Sequence, residues 1–236
     1  MKTTFLAIAK DPSIIPGVHH HCDEWCDYCP LTARCLTFRC TAEFRKQRGR
    51  TGAETFESLD EIVQFTRDVA AAEGAKTHEL DELVAHPGRS GIKTADPLAE
   101  RALGFAASVE AAIGPRILTI ASAPVQQPEP PPETILVYCH LRIYMRVFRA
   151  LVARDRERAG LPVTEDEALG SAKLALAMIE RTKRALQQLR EMVEDAEDAA
   201  VSDHFIVTLE EIECGLDERF PAARHFVRLG LDCPMA

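Results

Sequence analysis

No apolar run in this 236-residue chain approaches the ~18–20 residues that a membrane-spanning helix needs. Basic residues are the minority, 28 Lys and Arg against 37 Asp and Glu, for a formal charge of −9. A duplex-coating protein carries the opposite balance, so general nucleic-acid binding is set aside. No Walker A loop, no G-x-G-x-x-G opening a helix, no G-x-S-x-G elbow and no H-E-x-x-H occurs. P-loop nucleotide hydrolysis and the common hydrolase mechanisms therefore find no support. Strand signals are scarce, with Phe5–Ala9 and Ile117–Ile120 the candidates, and there is no internal repeat. The short apolar stretch Phe5–Ala9 is cut off by Asp11 too early for a secretory signal, and no small-residue cleavage site follows. A cytoplasmic location is expected, where thiols stay reduced.

What is there is a helical pattern and a knot of cysteines. The chain is 46% hydrophobic and 28% charged, enough for a real core. Residues 1–18 read as irregular, with Pro12 and Pro16-Gly17 as breakers. A basic, helical stretch ends near Gly49. Ser58 and Glu61 have capping-box spacing ahead of Leu59, Ile62, Val63 and Val69. A weaker helical pattern covers 75–86. Asp96-Pro97 is a good helix start, and Gly114-Pro115 a stop, for a helix over 97–113 with Leu98, Ala102, Phe105, Val109 and Ala112 on one stripe. Proline-rich sequence at 122–132 predicts an extended loop. Three more helices follow, over about 133–158, 164–194 and 201–218, each with apolar residues every three or four positions. The fold class is all-α. It is expected to be a helical bundle with a four-helix core, residues 51–236, preceded by a Cys-rich metal-binding segment at 1–50.

Five of the eight cysteines lie between Cys22 and Cys40. Cys22, Cys26, Cys29 and Cys35 make C-x3-C-x2-C-x5-C, so four thiolates from one short segment can reach one centre. Thiolates select zinc or iron–sulfur clusters over hard cations. Structural zinc sites often use paired C-x2-C turns, and here there is one. Irregular, compact spacing suits a cubane, so these four are expected to hold a [4Fe-4S] cluster, with zinc as the alternative. The role would be structural or electron transfer, with a redox or protein partner. His19, His20 and His21 directly precede Cys22, and any of them could replace one thiolate. Asp23, Glu24 and Asp27 add negative charge. Arg34, Arg39, Arg45, Lys46, Arg48 and Arg50 can offset it. Trp25 and Tyr28 are expected to shield the centre. Cys40, Cys139, Cys214 and Cys233 read as small buried hydrophobes.

Two motifs resemble known loops. Cys26, Cys29 and Cys35 resemble the end of the [4Fe-4S] loop of the endonuclease III and adenine glycosylase family, without its helix-hairpin-helix. Cys22, Cys26 and Cys29, with Tyr28 before the third, resemble the C-x3-C-x-aromatic-C loop of radical SAM enzymes. That resemblance implies a three-cysteine cluster with one iron open for SAM, although helices rather than βα units follow it. More broadly, the cysteine segment, Gly170-Ser-Ala-Lys-Leu-Ala-Leu and Phe220-Pro-Ala-Ala-Arg-His-Phe-Val-Arg resemble a set of uncharacterised bacterial proteins. This implies a shared helical fold and supplies no activity.

The bundle offers a second candidate site. Glu133 and His140 stand seven residues apart on one helix, and His204 and Glu211 repeat this on another. Bundle di-iron sites use Glu-x-x-His pairs, which both helices lack. Each histidine reads better as a core residue with a hydrogen-bond partner. Arg142, Arg146 and Arg149 form a stripe expected to face solvent.

Overall fold

Apolar residues at helical spacing become helix throughout the computed structural model, which describes residues 2–49, 59–74, 96–114, 129–161, 163, 166–192, 196–228 and 230–232. The described helices are α1 (Lys2–Ala9), α2 (Leu36–Gln47), α3 (Leu59–Ala72), α4 (Pro97–Ile113), α5 (Pro132–Arg158), α6 (Glu167–Met192) and α7 (Ala196–Arg219). No strand occurs among the described residues. The chain forms two compact units. One is residues 1–92 with 228–236, and the other is 93–227.

The 93–227 unit is a four-helix bundle. α4 packs on α5 and α7, and α6 packs on the same two helices. Its core is aliphatic and alanine-rich, with Ile143, Leu151, Leu174, Met178, Ile179, Leu209 and Ile212 fully buried. Phe105 and Phe205 meet edge to face at 5.8 Å. α4 begins as the sequence predicts: the Asp96 carboxylate accepts from Leu98 N at 2.9 Å, with Pro97 next in line. Asp96 also takes Arg219 of α7 at 3.2 Å and Arg154 of α5 at 3.5 Å. One carboxylate thus caps one helix and ties in two others. Gly215 lets α7 approach α4 closely, since a Cβ there would stand 2.7 Å from Leu98 Cδ1. After α7, Phe220 and Ala223 are buried. Arg224 pairs with Glu213 and Asp217, and Lys173 of α6 donates to its carbonyl at 2.7 Å.

The N-terminal unit is built differently. α1 packs on α2 and α3. Its small core holds Phe5, Leu36, Cys40, Phe44, Phe65 and Val69. Phe65 receives Phe5 at 5.7 Å and Phe44 at 5.4 Å, both edge to face. A second patch, Ile15, Val18 and Cys35, is covered by Leu31, Phe38 and Leu231. α3 therefore belongs with the cysteine segment rather than with the bundle, because Phe65 and Val69 have their burial partners on α1 and α2.

Several expectations need correcting. Phe5–Ala9 is helix, not strand, and 1–18 is not irregular throughout, because Phe5 is an anchor of the small core. α7 starts at Ala196, earlier than expected, and Val201 is exposed. Ala112 is exposed on α4. Ser58, the 75–86 pattern, Ile117–Ile120, most of the 122–132 loop and Cys233 lie outside the described residues.

Candidate metal centre

Three single-turn 3-10 helices carry the cysteines: Val18–His21, Cys26–Tyr28 and Thr32–Arg34. Cys22 closes the first, Cys26 opens the second, Cys29 closes it, and Cys35 closes the third and starts α2. Each of the four thus sits at the end of a tight turn, where the backbone changes direction. Gly17 begins the series in the left-handed region at φ 68°. Glu24 is also left-handed, at φ 63°, which is strained for a residue with a Cβ. That bend is braced by Asp23, whose carboxylate accepts from Trp25 N at 3.2 Å.

The four thiols are electrostatic neighbours. Burial pushes Cys22 up to about 12, and the Cys35 thiolate adds to this. Burial pushes Cys26 up to about 11, with Cys35 and Cys29 contributing. Burial raises Cys35 as well, with Cys29 and Glu73 adding to it. Without a metal such thiols hold their protons at neutral pH, and a bound cation must displace them. The set is graded in exposure: Cys35 is buried, Cys22 and Cys29 half-buried, Cys26 exposed. The Cys22 thiol donates to the His19 carbonyl at 3.4 Å. Trp25 is buried, with Tyr28 edge-on to it at 5.2 Å.

Arg34, Arg39 and Arg48 serve the scaffold, and Arg50 lies outside the described residues. Arg39 pairs with Asp11 at 2.6 Å, Arg34 Nε donates to the Ser13 carbonyl at 3.1 Å, and Arg48 reaches Glu61 at 3.4 Å. The Arg39 hydrogen bond holds Asp11 down at about 2.

Among the described residues, three metal-type donor atoms lie mutually within 4.8 Å at His19, His20 and Glu73, and the four thiols supply no second such group. The triplet pairs residues far apart in sequence. His19 and His20 were foreseen only as stand-ins for a thiolate, and Glu73 was missed. Its signal, a glutamate before Gly74 at the end of α3, carries no chemistry on its own. Burial lowers His19 to about 4, with His20 and His21 adding to the effect. Burial raises Glu73.

The remaining candidates do not converge. His140 Nδ1 pairs with the Val137 carbonyl at 2.7 Å, one turn earlier. His204 is exposed, and Glu211 pairs with Arg101 at 3.1 Å. Glu133, His140, His204 and Glu211 form no close donor group. The arginine stripe is split. Arg149 is exposed on Glu167, Arg142 lies over the Tyr138 ring at 3.7 Å, and Arg146 is buried rather than facing solvent. Cys40 and Cys139 are buried as expected, whereas Cys214 is exposed. No protein-family model, no curated protein and no solved structure matches the chain.

Proposed function

We propose that Cys22, Cys26, Cys29 and Cys35 hold a [4Fe-4S] cluster in a structural or electron-transfer role. The observation that carries this is the placement of all four at the ends of three successive tight turns, with each thiol within electrostatic reach of others in the set. The cluster is preferred to zinc on sequence spacing: C-x3-C-x2-C-x5-C has one C-x2-C turn where structural zinc sites often pair two, and compact, irregular spacing suits a cubane. Cys26 is exposed while Cys35 is buried, so the cluster would be approached by a redox partner at Cys26. Such a cluster belongs in a reducing compartment, in keeping with the cytoplasmic expectation.

Iron and acid-labile sulfide analysis of protein purified without oxygen, with its visible spectrum, tests the reading. About four irons and four sulfides per chain, with a broad absorption that bleaches on reduction, is the expected result. One zinc and no sulfide overturns it and makes the segment a zinc-stabilised interaction module. A cluster that survives Cys35→Ser intact and binds SAM overturns the four-cysteine assignment in favour of a radical SAM-like one.

A further inference from the structure

Beside the thiols, His19, His20 and Glu73 each offer a donor atom, all within 4.8 Å of one another. His19 Nε2 is 3.5 Å from Glu73 Oε1, and His20 Nε2 is 3.9 Å from Oε2. Bonds of 2.0–2.1 Å to one ion, at octahedral or tetrahedral angles, separate donors by roughly 3–3.4 Å. Donor separations would have to shorten by up to roughly 1–2 Å to close the set around an ion.

The fold makes this convergence. The histidines come from the 3-10 turn that Gly17 initiates, and Glu73 from the far end of α3. That end is a poor place for a carboxylate, because the terminal carbonyls of α3 present negative potential. Glu73 is exposed as a residue, but its side chain is only 22% exposed. A cation held against it offsets both costs. His19 has little other engagement: its Nδ1 is buried without a hydrogen-bond partner, and its ring lies against that of His20, centroids 4.3 Å apart.

We infer that His19, His20 and Glu73 form a second metal centre, a two-histidine, one-carboxylate site for a divalent transition-metal ion of the zinc or ferrous-iron class. Three protein donors leave coordination positions for water or a small ligand. The site is independent of what the thiols hold, although the field of Glu73 reaches Cys35.

Cobalt(II) is the probe, added without oxygen to the full chain with its thiol centre as isolated. The expected result is one cobalt per chain with weak d–d absorption and no intense thiolate-to-cobalt charge-transfer band. His20→Ala and Glu73→Gln should each weaken cobalt binding at least about tenfold, the minimum for losing a ligand when outer partners alone cost that much. Both should leave the iron, sulfide and zinc content of the thiol centre unchanged. His20 is half-exposed, so its removal spares the core and decides the matter if Glu73→Gln fails to fold. A strong charge-transfer band, no uptake at millimolar cobalt, or unchanged affinity in both variants overturns the inference. The thiol centre is scored by separate analyses, so either assignment can fail alone.

Discussion

The two units of this chain solve the problem of stability in different ways. Among the described residues, the 93–227 unit has four helices of 17 to 27 residues around one continuous apolar core. The described part of the N-terminal unit has helices of 8 to 14 residues, two small apolar patches and three single-turn 3-10 helices that bury few large side chains. A small unit of that kind usually needs a metal or a cross-link to supplement its core. The seven described cysteines form no disulfide, so under the proposed function ligation would be the supplement. The comparison teaches that the bundle is held by burial, while the described part of the cysteine unit has far less of it.

The largest test of that contrast is metal removal. Thiolate metal centres contribute on the order of 10 kcal/mol to small domains. Chelation of the reduced protein is expected to abolish amide-exchange protection over Ile15–Phe44 while α4 to α7 keep theirs. Equal loss in both units would break the comparison. The converse experiment is Leu209→Ala, a fully buried site in the bundle. It should cost about 2–5 kcal/mol in bundle stability, read by denaturant unfolding, with the metal content of the cysteine unit unaltered.

The smallest effect is the response to acid, which sharpens the contrast. Asp11 is depressed from 3.8 to about 2 by Arg39 and Ser13. Its contribution is full above pH 3.8 and fades as pH falls through about 2. In the bundle, burial of Glu213 works to raise its pKa, but hydrogen bonds from Arg224 and Lys183 outweigh this and lower it. Its support likewise weakens as pH falls. Carboxyl chemical shifts followed by NMR should show Asp11 titrating well below an ordinary aspartate. A normal titration there would show that the Asp11–Arg39 pair is not formed in solution.

The bundle was legible because its signals are local and agree. Asp96-Pro97 and Gly114 bracket α4 as read, and Phe105, Ile143, Ile179, Leu209 and Ile212 fall in the core that the spacing predicts. Phe5–Ala9 was not legible, because a five-residue apolar run has no period to distinguish helix from strand. The buried face of α3 was misjudged: Ile62 is exposed and Phe65 is the anchor, a choice made by α1 and α2. The four cysteines stand out as a candidate set on spacing alone because they share one segment. Glu73 could not, because it meets His19 and His20 only after α3 has packed against α1.

Trp25 has a practical consequence. It is the chain's single tryptophan, and it lies buried next to Cys26. Indole fluorescence therefore comes entirely from the cysteine unit, and the bundle is dark in that channel. Far-ultraviolet dichroism is weighted the other way, toward the long helices. Recorded together during one denaturation, the two signals report each unit separately without any added label. A coloured centre beside the indole would also drain its emission by energy transfer. Loss of that emission on loading would thus gauge the filling of the proposed centre.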